Sequence, residues 1–178
     1  MILVVVPARG GSKRIPKKNL KIVANKSLIQ IAAECVRKSK YIDETLLSSD
    51  DDKIISEGEK HGLKKYSKRP KILSGDRVGD IPVLIHSLKK AEKINKCFYD
   101  IIIMLQPTSP LRKPRDIENL IEKIVNEKFD SVWTIHIVEK QFHPDKQLKL
   151  NSHGYLEYFT EKGKEIVINQ ELTDSYMK

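Results

Sequence analysis

The stretch from Pro7 to Asn19 carries the groups best placed to do chemistry. It reads Pro7-Ala8-Arg9-Gly10-Gly11-Ser12-Lys13-Arg14-Ile15-Pro16-Lys17-Lys18-Asn19, with two adjacent glycines, a serine and five cations. Glycines let a backbone approach a ligand closely, and successive free N–H groups form an anion-binding concavity. Guanidinium and ammonium groups beside such a nest suit a polyphosphate. The spacing is neither that of the P-loop nor that of the three-glycine dinucleotide fingerprint. The plain alternative is a basic surface loop after an edge strand.

Other chemistry-bearing residues have simpler readings. Asp50-Asp51-Asp52 offers three carboxylates for a cation, but acidic residues at a helix start also complement its dipole. His136 and His143 have no second ligand at a metal-type spacing, so both read as structural histidines. Cys35 and Cys97 are far apart and read as free thiols.

The elements that must position the loop alternate in type. Ile2 to Val6 is a continuous apolar run, as in a buried parallel strand. Ser27 caps a helix with its apolar stripe at Leu28, Ile31, Ala32, Cys35 and Val36. Thr45 to Ser49 is a second strand, and the three aspartates open a helix that stops at Gly62. Lys64 to Tyr66 reads as a third strand. Arg69-Pro70 to Gly79 is irregular. A helix follows over about residues 81–94, then a strong strand over Asp100–Leu105 that Pro107 and Pro110 terminate. Pro114 suits a first helical position, with Asp116 in the first turn. Phe129 to Val138 reads as a further strand with Trp133 in the core. The alternation predicts an α/β fold, a mainly parallel sheet covered by helices, over residues 1–138. Residues 139–178 change character: extended fragments at Gln147–Leu150 and Tyr155–Tyr158 flank a turn at Asn151–Gly154. They predict an extended arm for dimerisation or partner contact.

Composition narrows the partners. The chain has 178 residues and a net charge of +9, which favours anionic ligands. Its cations are 26 lysines against 7 arginines, spread along every element, with few aromatics between them. A nucleic-acid reader clusters arginine with aromatics for stacking, so no nucleic-acid partner is expected. No run of about 20 apolar residues exists, so no membrane partner is expected either. Together with the free thiols, this points to the cytoplasm.

Several stretches together resemble the acylneuraminate cytidylyltransferase family, the CMP-sialic acid synthetases and their relatives. Ala8-Arg9-Gly10-Gly11-Ser12-Lys13 with Ile15-Pro16-Lys17-Lys18-Asn19 is similar to that family's first signature. Leu105-Gln106-Pro107-Thr108-Ser109-Pro110-Leu111-Arg112 is similar to its second. Leu47-Ser48-Ser49-Asp50, Arg69-Pro70, His143-Pro144 and Gln170-Glu171-Leu172 with Tyr176 resemble further stretches, so the likeness runs the length of the chain. Arg14 departs from the pattern, standing where the family usually has glycine. The family also carries an Asp-x-Asp pair after the arm that helps hold Mg2+, and no such pair follows here.

The resemblance implies a three-layer, Rossmann-like nucleotidyltransferase fold. It implies transfer of CMP from CTP to a nonulosonic, sialic-type sugar acid, with release of pyrophosphate, Mg2+ as cofactor and a homodimer. It assigns catalysis to Arg9 and Lys18, which would act on the phosphates. Nucleotide binding falls to Ala8, Gly10, Gly11, Ser12, Asn19, Arg69 and Asp80, and sugar binding to Gln106, Ser109 and Arg112. Metal ligands are unassigned. Lys13 and Lys17 have the plainer reading of solvated charges, which suits Lys17 better. The alternatives are a truncated, non-catalytic homologue that keeps the fold, with or without nucleotide binding, and a basic nucleic-acid-binding α/β domain.

Overall fold

A computed structural model describes residues 1–177. The chain divides into two compact units, Met1–Asn126 and Glu127–Lys178.

In the first unit, strand β1 (Ile2–Pro7) leads into the glycine-rich loop. A short hairpin, β2 (Ile22–Val23) and β3 (Lys26–Ser27), turns through Ala24 and Asn25, both left-handed. Two such residues make the type I′ turn that matches strand twist. Helix α1 (Leu28–Lys38), strand β4 (Glu44–Ser48) and helix α2 (Asp52–Lys60) follow. Helix α3 (Asp80–Asn95), strand β5 (Ile101–Met104) and helix α4 (Pro114–Glu127) complete the series.

The sheet is parallel in the order β4-β1-β5. Val4 faces Thr45 on one side and Ile103 on the other, so β1 is central. Its alternate side chains enter two separate cores. Val4 and Val6 join Ile29 and Ala33 of α1, Ile54 of α2 and Ile117 and Ile121 of α4. Leu3 and Val5 join Leu46, Tyr99 and the α3 residues Leu84, Leu88 and Ala91. Helices therefore cover both faces, which makes the three layers. Complete burial of each β1 valine or leucine contributes about 1.5–3 kcal/mol, so this strand anchors the loop that leaves it.

The expected helix ends are present. The Ser27 Oγ accepts from the Gln30 amide at 3.0 Å, and Asp51 accepts from Lys53 and Ile54 at 2.8 and 3.1 Å. Helix α2 closes with the Leu63 amide donating to the Gly58 carbonyl at 3.0 Å across Gly62, whose φ of +88° suits only glycine. A polar cluster ties β4 to the far end of α3. Glu44 is buried and accepts from Lys64 at 2.8 Å and from the Tyr66 hydroxyl at 2.7 Å. Asn95 donates to the Tyr99 hydroxyl at 2.6 Å.

Two strand expectations fail. Lys64–Tyr66 is not a strand: it makes one parallel bridge, Lys64 to Leu46, before the chain turns away. Phe129–Val138 does not extend the parallel sheet. Only His136–Ile137 (β6) forms a strand, and it pairs antiparallel with Tyr176–Met177 (β9). Trp133 is 58% exposed rather than core. Residues 127–138 accordingly group with the second unit, ahead of the boundary drawn from the sequence at 138.

Within the second unit, Leu148–Leu150 (β7) and Leu156–Tyr158 (β8) form the expected antiparallel hairpin. The Asn151 side chain fixes its turn by accepting from the His153 and Tyr155 amides, both at 3.0 Å. His143 is buried, and its Nδ1 accepts the Asp145 amide at 3.2 Å, a structural role.

Candidate functional site

A cleft of about 530 Å³ opens at the carboxyl ends of β1 and β5. From β1 the chain runs outward to β4 and then crosses to β5 on the other side. Loops leaving β1 and β5 therefore diverge, and a crevice at that switch point is where open α/β sheets bind ligands. Three segments line it: Pro7 to Asn19, Arg69 to Val83, and Gln106 to Thr108.

Most of the residues singled out in the sequence meet here. Arg9, Ser12, Lys18, Asn19, Arg69, Asp80 and Gln106 all line the cleft. Arg9 and Lys18 are held half-buried by the loop's own bonds. The Asn19 Nδ2 donates to the Arg9 carbonyl at 3.0 Å, so this buried amide fixes the loop. Lys18 begins a short 3-10 turn, Lys18–Leu20, that follows the left-handed Lys17. Lys17 is exposed and outside the lining, as a solvated charge would be.

Gly10 permits a close approach of the loop to Asp51. A Cβ there would lie 2.8 Å from the Asp51 Cβ. Its amide donates to Asp50 Oδ1 at 2.9 Å, and the Ser12 amide donates to the Gly10 carbonyl at 2.9 Å. Two of the three amides expected to form a nest thus have partners within the protein. Of the three, Gly11, whose surroundings are open, is the one whose amide has no partner among the described residues. Ala8 is buried, and its amide donates to the Ser48 carbonyl at 2.9 Å, which ties the loop to β4.

The aspartate run is structural. Asp50 clamps Gly10, Asp51 caps α2, and Asp52 pairs with Lys68 at 2.7 Å. No group of three or more His, Cys, Asp or Glu side chains that could hold a metal ion occurs among the described residues.

Arg69 is buried against β4. Its Nε donates to the Ser48 Oγ at 3.0 Å and its Nη2 to the Ser48 carbonyl at 2.5 Å. Burial pushes its pKa below the ordinary value, partly offset by Asp50. Arg112 and Ser109 do not line the cleft. The Arg112 Nη1 and the Ser109 amide both donate to the Gln106 carbonyl at 3.3 Å, so they shape the turn that presents Gln106. Burial lowers the Arg112 pKa as well. Ser109 is exposed on that turn.

The sequence did not single out Asp76. It lines the cleft, accepts from Arg9 Nη1 at 2.7 Å through Oδ1, and pairs with Lys13 through Oδ2. Lys13 therefore borders the cleft while its side chain stays largely in solvent. The only sequence signal for Asp76 is its place in the irregular stretch after Arg69-Pro70.

A family model described as Cytidylyltransferase matches residues 3–175. The chain belongs to the cytidylyltransferase family. It is 32% identical over 174 residues to a pseudaminic acid cytidylyltransferase from Campylobacter jejuni, covering 98% of this chain and 73% of that protein. It is 34% identical over 138 residues to the CMP-N,N'-diacetyllegionaminic acid synthase of Legionella pneumophila, covering 76% of this chain and 59% of that protein. Among solved structures, CMP:2-keto-3-deoxy-manno-octonic acid synthetase complexed with CTP shares the fold. The TM-score is 0.61 at 23% identity, covering 88% of this chain and 64% of that one. Cytidylyltransferase membership agrees with the α/β architecture and with the resemblance carried by the two signature stretches.

Proposed function

We propose that this chain transfers CMP from CTP to a nonulosonic, sialic-type sugar acid, with release of pyrophosphate. The observation that carries this reading is that Arg9, Lys18, Arg69 and Gln106, drawn from three distant segments, line one cleft at the switch point of the sheet. A sugar hydroxyl attacks the α-phosphorus, the new P–O bond forms, and the bond to the pyrophosphate oxygen breaks. Negative charge grows on the phosphoryl oxygens, so the protein's work is positioning and electrostatic stabilisation.

In this reading the Arg9 fork spans two phosphoryl oxygens and the Lys18 ammonium neutralises the α-phosphate. Gly11 and Ser12 face the phosphates, while Ala8, Gly10 and Asn19 act by holding the loop in shape. Arg69 and Asp80 border the nucleotide. Gln106 offers an amide to the cytosine or the sugar, on a turn set by Ser109 and Arg112. Mg2+, when bound, would neutralise developing charge. The described carboxylates do not form a protein-built site for it, and no step here is routed through it. The hairpin of the second unit presents Leu150 and Leu156 about two-thirds exposed, which supports docking of the arm on a second copy. No helix among the described residues is long and apolar enough to cross a membrane, which is compatible with work in the cytoplasm.

The test is titration of the chain with CTP, ATP and GTP, followed by pyrophosphate release with pseudaminic, legionaminic and N-acetylneuraminic acids. Selective CTP binding that Arg9→Ala abolishes, and release with at least one sugar acid, are expected. Equal or absent nucleotide binding overturns the reading. Binding without release for every sugar acid overturns its catalytic half and leaves a nucleotide-binding homologue.

A further inference from the structure

Asp76 stands where Arg9 and Lys13 meet. One carboxylate carbon carries two oxygens, each taken by one of these cations: Oδ1 by the Arg9 guanidinium at 2.7 Å and Oδ2 by the Lys13 ammonium. A phosphoryl group would offer the same pair two oxygens on one atom. The hydrogen bonds from Lys13 and Arg9 hold the Asp76 carboxyl below the ordinary carboxylate range, so it is ionised at neutral pH.

We propose that Asp76 is a positioning residue and an internal competitor of the substrate's phosphates. It gathers Arg9 and Lys13 into the cleft, and an incoming polyphosphate must displace it. The inference rests on the cleft being a polyphosphate site, as argued above.

The chain around Asp76 suits such an exchange. The segment is held at its start by Arg69, whose amide donates to the Ser49 carbonyl at 2.8 Å and whose side chain grips Ser48. It is held at its end by α3, which begins at Asp80. Between them, Gly75, Asp76, Arg77 and Gly79 are exposed, and within residues 75–79 the backbone is joined among the described residues only by the long 3.3 Å contact from the Val78 amide to the Gly75 carbonyl. Apart from its bonds to the two cations, the Asp76 side chain makes no hydrogen bond or ion pair among the described residues. Displacement therefore costs two solvent-exposed ion pairs, the one to Lys13 the more exposed, and leaves both helix and anchor in place. Pairs this exposed are weak, so the competition tunes affinity without blocking it. A carboxylate freed by phosphate would also be repelled by it, which favours outward movement of the segment.

The experiment measures binding of inorganic tripolyphosphate, a phosphate tail with no base, and of CTP. The proteins are the unmodified chain, Asp76→Asn, Asp76→Ser and the control Asp52→Asn. Asp52 is an exposed carboxylate paired with Lys68 outside the cleft, so its variant adds the same charge without freeing Arg9 or Lys13. Both Asp76 variants are expected to bind tripolyphosphate and CTP about three- to tenfold more tightly, the size that two exposed ion pairs command. Asp52→Asn is expected to change affinity less than twofold. A merely structural Asp76 would leave affinity unchanged or weaken it. Unchanged or weaker binding in the Asp76 variants overturns the inference, and so does an equal gain in Asp52→Asn. Failure of the unmodified chain to bind either ligand overturns the polyphosphate reading itself, a separate outcome.

Discussion

In Met1–Asn126, the apolar side chains of β1 go alternately to two covered faces; in Glu127–Lys178, the apolar side chains of β7 and β8 stand at the surface. Both regions contain alternating or continuous apolar strands. The first has four α-helices and a three-stranded sheet to hide them, whereas the described residues of the second form two-stranded ribbons and short 3-10 turns. A two-stranded ribbon lacks a second layer and is marginal by itself. The difference lies in how much apolar surface each unit can cover by itself. The layered unit carries the cleft at the carboxyl ends of its strands, and the ribbon unit leaves apolar side chains at its surface.

The sharpest way to break this contrast is to delete the same atoms in each region. Leu47→Ala, at a fully buried β4 position in the core with α1, α2 and α4, is expected to cost about 2–5 kcal/mol. Leu150→Ala, 69% exposed, is expected to stay within about 0.5 kcal/mol. Urea titration followed by helical circular dichroism reports the first unit, where all four α-helices begin. Equal losses would erase the distinction.

The buried Glu44 gives the layered unit a pH dependence. Burial raises its pKa, but hydrogen bonds from Lys64, Tyr66 and the Thr45 amide outweigh it and leave the pKa below the ordinary value of 4.5. A carboxyl with a depressed folded pKa stabilises above its unfolded value, and the benefit is lost as pH falls through the lower folded value. Glu44→Gln should therefore flatten the acid limb of stability below pH 4.5, and should cost about 1–2 kcal/mol at pH 7 through weakened charged hydrogen bonds. Denaturant midpoints from pH 7 to pH 3 check it; an unchanged acid limb would remove Glu44 from the account.

Two smaller substitutions sharpen the contrast. Ser27→Ala removes the cap of α1 and should cost about 1 kcal/mol, with Ser27→Thr restoring most of it. In the ribbon, Lys149 pairs across the strands with Glu157 at 3.4 Å, both about half exposed. Lys149→Ala should shift the thermal midpoint by an amount equivalent to less than about 0.5 kcal/mol. A larger loss there would mean the hairpin carries weight that its exposure does not predict.

Much of the layered unit was legible residue by residue. The Ile2–Val6 run, the stripe of α1, the Ser27 cap and the stop at Gly62 each express a local rule. The turn at Asn151 was equally plain. The cleft was legible in part: both signature stretches reach it, and Arg69 and Asp80 join them. What failed was pairing. Phe129–Val138 has the composition of a buried strand, yet only His136–Ile137 pairs as one, and its partner is Tyr176–Met177. Composition says that a segment favours extension but does not name the edge that accepts it.

From the amino-acid order alone came the local geometry: where helices start and stop, which strand is buried on both faces, and which loop concentrates cations. These follow from periods of 3.6 and 2 residues and from caps that reach only a few positions. Tertiary structure alone decided that Gly10 would give its amide to Asp50, that Arg69 would lock onto Ser48, and that Asp76 would sit between Arg9 and Lys13. The Arg9–Asp76 pair spans 67 residues of chain. An attraction over that separation is set only when the sheet order brings two loops to the same end, because charges exposed to water act over about a Debye length and leave no periodic trace in a sequence.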